Sequence, residues 1–72
     1  MRKVVVFGGS GFLGSYVADE LTHRGYDVLI ADIKKTQYLK ETQTFSICDI
    51  LDSNNVKSVI KGAAIVYNFA GL

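Results

Sequence analysis

In this 72-residue chain the residues best suited to chemistry begin with Gly8-Gly9-Ser10-Gly11-Phe12-Leu13-Gly14. Gly9, Gly11 and Gly14 form a G-x-G-x-x-G pattern, and Gly8, Gly11 and Gly14 an overlapping G-x-x-G-x-x-G. Both registers suit the same chemistry. A turn tight enough to swing a chain from strand to helix needs backbone angles that glycine tolerates. A phosphate reaches the backbone only where no Cβ intervenes, and at a helix N-terminus it meets free N–H groups. Gly14, in the first helical turn, lets the helix lie close to the strand. A plain strand-to-helix turn would be served by one or two glycines, whereas this segment has four in seven positions, which favours phosphate binding.

Further residues extend that chemistry to a dinucleotide. Asp32 lies 18 residues beyond Gly14, at the end of the next apolar run, where a carboxylate accepts hydrogen bonds from an adenosine ribose. Its charge also repels a 2′-phosphate, which favours NAD over NADP, although Lys34 and Lys35 follow closely and weigh the other way. A helix cap or a solvated loop acid is the alternative role for Asp32. Asp49 is placed to accept from an adenine amino group, and Ile50 offers apolar surface and a backbone N–H. Capping of the following helix is the alternative for Asp49. Asn68-Phe69-Ala70-Gly71 closes the last apolar run, where small residues let a ribose and diphosphate pass close to the backbone.

Three other residues read as structural. His23 falls on the last turn of a helix, where an imidazolium complements the dipole. Cys48 lies in an apolar strand and suits a small core residue better than a nucleophile. Tyr16 fits a helical packing stripe, so core is favoured over cofactor contact. No metal-ligand spacing occurs.

The elements that must position these residues follow from the hydrophobic pattern. Lys3–Phe7 is a β-branched run without alternation, as expected of a strand buried on both faces. From Phe12 the period becomes helical: Leu13, Val17 and Leu21 recur with Phe12 and Tyr16 beside them, and Gly25 supplies the C′ stop. Tyr26–Ala31, ending at Asp32, is a second buried strand. Residues 34–42 are polar and without clear period, a loop or a poorly formed helix. Thr44–Cys48 is a short third strand. A second helix starts at Asp52 or Ser53, each a good N-cap, carries Val56, Val59 and Ile60 on one face, and ends at Gly62. Ala63–Phe69 is a fourth strand. If the two crossovers cover opposite faces, the parallel sheet has the order 3-2-1-4, and a ligand crevice opens at the carboxyl ends of its strands.

Composition narrows the function classes. Eight Lys+Arg against seven Asp+Glu, a net charge of +1, present no basic surface for nucleic acid or anionic membrane. The apolar fraction of 49% argues against disorder. No apolar run approaches the roughly 18–20 residues of a membrane span. A single cysteine, Cys48, cannot close an internal disulfide, which fits a reducing, cytoplasmic compartment.

Val-Phe-Gly-Gly-Ser-Gly-Phe-Leu-Gly, Asp32, Cys48-Asp49-Ile50 and Asn68-Phe69-Ala70-Gly71 together resemble the extended short-chain dehydrogenase/reductases, and more narrowly the NAD-dependent epimerase/dehydratase family acting on nucleotide sugars. The resemblance spans the whole chain, with Phe-Ala-Gly-Leu at the end where the family more often has paired alanines. It implies an α/β fold, a partial doubly wound, Rossmann-like parallel sheet forming the N-terminal portion of a larger NAD(P)-binding domain, with no substrate domain within residues 1–72. Gly8, Ser10, Gly11, Phe12 and Leu13 would line the pyrophosphate site, with Gly9 and Gly14 completing the loop. Asp32 would hold the adenosine ribose beside Ile33, Asp49 and Ile50 would flank adenine, and Phe69, Ala70 and Gly71 would border the cofactor.

The family's chemistry also needs a tyrosine acid/base with a lysine four residues on. Tyr16, Tyr26, Tyr38 and Tyr67 are followed at that spacing by Glu20, Ile30, Thr42 and Gly71. The expectation is therefore a fragment that binds NAD and does not turn over, from a parent that oxidises a nucleotide sugar transiently and is a candidate homodimer. The apolar fourth strand, with nothing after it to pair with, points the same way. An NADP-dependent short-chain reductase and a non-catalytic dinucleotide-binding sensor are the alternative readings. A flavin-binding domain is disfavoured, because Asp49-Ile50 and Asn68–Gly71 would then be coincidences.

Overall fold

The computed structural model describes residues 2–36 and 39–70. Its elements run β1 (Lys3–Phe7), α1 (Phe12–His23), β2 (Asp27–Asp32), β3 (Thr44–Ile47), α2 (Ser53–Ile60) and β4 (Ile65–Asn68). The four strands form one parallel sheet in the order β3-β2-β1-β4, as the crossover argument predicts. Winding reverses beside β1, which leaves a crevice at the carboxyl edge of the sheet.

β1 is the centre of the molecule because its apolar run serves both faces. Val4 and Val6 pack with Ala18, Leu21, Val28 and Ile30 on the α1 side. Val5 and Phe7 pack with Ala31, Cys48 and Val59 on the other. A strand with one polar face could not fill this position. Val56 and Ile60 flank Val59 in the second cluster, so the expected apolar face of α2 is the one that packs. Asp52 caps α2 by accepting from Asn55 N–H, and Gly62, at φ +78°, supplies the left-handed turn that releases the chain into β4.

The expected packing stripe of α1 is corrected. Phe12 is 93% exposed and Tyr16 69%, and Leu13 is also exposed. Gly14, Ala18 and Leu21 are the buried residues of the helix, with Val17 partly buried against the core. The reason is distance: α1 lies so close to the sheet and the glycine loop that only small residues fit beneath its first two turns. The helical period was present, but its inward phase belongs to glycine and alanine.

Strand boundaries shift by one or two residues. β2 starts at Asp27 rather than Tyr26, β3 stops before Cys48, and β4 is shorter than Ala63–Phe69. β4 is also less buried than a central strand, with Val66 and Tyr67 exposed, since β1 is its only partner among the described residues. Residues 34–36 and 39–42 contain no helix. The end of that connection is pinned by Gln43, whose side-chain amide donates to Asp19 Oδ1 at 3.0 Å and Thr22 Oγ1 at 2.9 Å on α1.

Candidate functional site

The site is built where β1 hands over to α1. Gly8 continues the ladder, its N–H donating to Ala31 O at 2.8 Å, and then turns with φ +77°, a left-handed angle that a side chain resists. A Cβ on Gly8 would also stand 2.7 Å from the Phe69 carbonyl carbon, so the loop passes directly against the end of β4. The Gly8 carbonyl then accepts from Gly11 N–H at 3.1 Å and lies beneath Gly14, where an added Cβ would collide with it. Gly9 is buried, and a Cβ there would meet Ile30 Cγ2 at 2.6 Å. Gly8, Gly9 and Gly14 therefore serve close packing.

Gly11 differs. It is the N-cap of α1, extended at φ −78° and ψ 173°, and no side chain caps the helix. A Cβ at Gly11 would find only Gly8 O, at 3.4 Å. The space beside it is open, and the first-turn amides of Phe12, Leu13 and Gly14 have no intrahelical acceptor. An anion fits this combination of open space, free donors and positive helix end. The side chains of Phe12 and Leu13 point to solvent, so only their backbone can serve the loop.

Asp32, half-buried at the end of β2, faces the loop. Its Oδ2 accepts from Ser10 N–H at 3.1 Å and its Oδ1 from Lys34 N–H at 3.2 Å. Each carboxylate oxygen thus keeps a free lone pair, a pair of acceptors matched to two adjacent hydroxyls. The helix-cap alternative for Asp32 does not hold, since it ends a strand and braces two loops.

A cavity of about 390 Å³ runs along the carboxyl edge of the sheet. Gly8, Gly11, Asp32, Ile33, Asp49, Ile50, Phe69 and Ala70 all border it, which brings together the four segments singled out from the sequence. Gly9, Ser10, Phe12, Leu13 and Gly14 do not line it. Gly71 lies outside the described residues. Asp49 is exposed, and its Oδ1 accepts from Leu51 N–H at 2.9 Å; the α2 cap is Asp52 instead, which removes the capping alternative for Asp49. Ala70 N–H is held by Asn68 Oδ1 at 2.9 Å, fixing the turn that leaves β4.

Phe7, Ala31, Cys48 and Leu51 also border the cavity and were not expected there. The first three are core residues whose outer atoms form its floor, and Leu51 is 88% exposed beside it. Continuity with Asp49-Ile50 was the available signal for Leu51. Burial pushes the Cys48 thiol up, with Asp52 and Asp49 adding in the same direction, so it is a protonated wall and not a nucleophile. A second cavity of about 480 Å³ shares Gly11, Asp32 and Ile33 with the first and adds Ser10, Lys34, Lys35 and Thr36. His23 and Tyr16 line neither. Among the described residues no cluster of metal-binding side chains occurs, and no helix is long and apolar enough to cross a membrane.

Comparison with known proteins places this geometry. Mouse sterol-4-alpha-carboxylate 3-dehydrogenase, decarboxylating, is 35% identical over 69 residues, covering 96% of this chain and 19% of the relative. GDP-mannose 3,5-epimerase of Arabidopsis thaliana is 31% identical over 71 residues, 94% of this chain and 19% of the relative. The chain thus spans about a fifth of the length of these relatives. Uronate dehydrogenase of Agrobacterium tumefaciens, in a complex with NAD, superposes with a TM-score of 0.86 at 22% identity over 100% of this chain and 27% of its own, a likeness of fold. MoeE5 in complex with UDP-glucuronic acid and NAD superposes with a TM-score of 0.73 at 27% identity, covering 100% of this chain and 23% of that one. The family model for the NAD dependent epimerase/dehydratase family matches residues 4–72, and the chain belongs to that family.

Proposed function

We propose that residues 1–72 form the N-terminal, cofactor-binding portion of a dinucleotide-binding domain, and that the cofactor is NAD. The observation that carries this reading is the meeting of Gly11, Asp32, Ile50 and Ala70 around one cavity at the sheet's carboxyl edge. The donor set fits the group: amides of Phe12, Leu13 and Gly14 for the diphosphate, two carboxylate lone pairs of Asp32 for the adenosine ribose, and Ile33 and Ile50 as apolar walls for adenine. Asp49 accepts from the adenine amino group. Gly8 and the backbone of Phe69 and Ala70 allow the chain of phosphates and sugar to pass close to β4.

NAD supplies hydride acceptance and return when bound. The residues here would bind it and orient its adenosine half. The whole enzyme, in this reading, acts on a nucleotide sugar, as the names of the Arabidopsis relative and of the MoeE5 complex suggest by analogy. That a relative named for a sterol aligns over the same residues supports assigning the segment to the cofactor and not to the substrate. The single cysteine supports a cytoplasmic location.

Titration of the isotopically labelled chain with NAD, followed by amide resonances, tests the reading. Shifts concentrated at Gly8, Gly11, Phe12, Leu13, Asp32 and Ile50 are expected. A dispersed, folded spectrum that does not respond to millimolar NAD overturns it.

A further inference from the structure

The glycine loop and the loop after β2 are joined by a closed set of three hydrogen bonds that packing alone does not require. Ser10 N–H donates to Asp32 Oδ2 at 3.1 Å, and Lys34 N–H donates to Asp32 Oδ1 at 3.2 Å. The Ser10 hydroxyl then donates to the Lys34 carbonyl oxygen at 2.7 Å. Residue 34 is therefore held at both its N–H and its C=O, and the carboxylate of Asp32 is clamped between two amides. The clamp stands where the two cavities meet: both are bordered by Gly11, Asp32 and Ile33, and Ser10, Lys34 and Lys35 line only the second.

We propose that Ser10 is a positioning residue that sets the discrimination between a free and a phosphorylated ribose 2′-hydroxyl. This rests on the NAD reading above. A fixed carboxylate rejects a 2′-phosphate because neither charge can move away. Without the Ser10 hydroxyl the Lys34 carbonyl is released while the two amides still hold Asp32, and the ammonium groups of Lys34 and Lys35 are free to approach, which favours the phosphate. The Ser10 hydroxyl makes the one bond of the three that depends on a side chain other than Asp32. Alanine at position 10 would leave the backbone turn and both amide bonds to Asp32 intact and remove only the tie on the Lys34 carbonyl.

The test compares dissociation constants for NAD and NADP in the unaltered chain, Ser10→Ala and Ser10→Thr. Loss of one hydrogen bond predicts that Ser10→Ala lowers the preference for NAD by about three- to tenfold. Ser10→Thr, which keeps the hydroxyl, restores it. A purely structural role would weaken both cofactors together and leave their ratio unchanged, and an unchanged ratio overturns the proposal. Amide hydrogen exchange on the unaltered chain gives a second measurement: Ser10 and Lys34 amides that exchange as fast as their exposed neighbours also overturn it. Failure of the unaltered chain to bind either cofactor strikes the NAD reading itself, and is told apart from failure of the latch by those protection factors.

Discussion

Asp32 Oδ2 accepts the Ser10 backbone N–H at 3.1 Å across 22 residues of sequence, so the acid expected to meet a ribose also holds the glycine loop. Recognition and loop geometry are consequently coupled in one side chain. Replacing Asp32 by alanine removes acceptors for the ribose hydroxyls and the brace on Ser10 together. Hydrogen bonds to a charged acceptor are worth about 1.5–3 kcal/mol, so NAD affinity is expected to fall by at least tenfold, and NADP affinity by less. Calorimetric titration of both cofactors checks this, and equal losses would remove Asp32 from its role.

Gly11 and Gly14 separate binding from stability. A Cβ at Gly14 runs into the Gly8 carbonyl, with its carbon 2.8 Å away, so Gly14→Ala forces α1 off the loop and is expected to cost about 1–3 kcal/mol. Gly11→Ala meets only Gly8 O at 3.4 Å and has a backbone angle that alanine adopts. It should unfold at nearly the same denaturant concentration as the unaltered chain, yet lose NAD affinity because its methyl stands where the diphosphate passes. Chemical denaturation and cofactor titration, run on both variants, decide the assignment. A Gly11→Ala variant that binds normally would move the phosphate elsewhere.

Cys48 predicts a pH dependence. It is 2% exposed, and burial, reinforced by the Asp52 and Asp49 carboxylates, raises its thiol above the ordinary range. The folded chain therefore holds this proton more tightly than the unfolded chain. Below the ordinary thiol pKa of about 8.5 both forms are protonated and the contribution is complete. As pH climbs past that value the unfolded chain releases its proton first and stability falls. Denaturation midpoints measured between about pH 8 and about pH 10 should fall more steeply for the unaltered chain than for Cys48→Ala, and identical slopes would contradict the shift.

The outer edge of β4 makes a prediction about association. Val66 is 45% exposed on an edge with no further strand among the described residues. Such an edge templates pairing with another chain, and a lysine on it suppresses that pairing. Sedimentation of the unaltered chain should show mass rising with concentration, while Val66→Lys stays monomeric with its stability changed by less than about 0.5 kcal/mol. A concentration-independent mass for the unaltered chain would show that the edge is inert.

The order of elements was legible in the sequence, as were the strand order, given crossovers on opposite faces, and the crevice at the carboxyl edge. Those depend on local signals: the unalternating Val4-Val5-Val6 run must be covered on both faces, Gly25 and Gly62 stop helices, and parallel strands admit few connections. The sequence also marked Gly8–Gly14, Asp32 and Asp49-Ile50, because each stands at a strand's carboxyl end. How these residues divide their duties emerged from the packing of the folded chain. The inward phase of α1 passed to Gly14 and Ala18 because the loop's own carbonyl leaves no room for a side chain. Phe12 and Tyr16, with far larger side chains, were turned outward by that contact. The four glycines look alike in sequence, yet three are held by backbone or core atoms and Gly11 alone faces open space. The ties from Ser10 to Asp32 and Lys34 were equally hidden, because they span 22 and 24 residues and form only once β1 and β2 lie side by side.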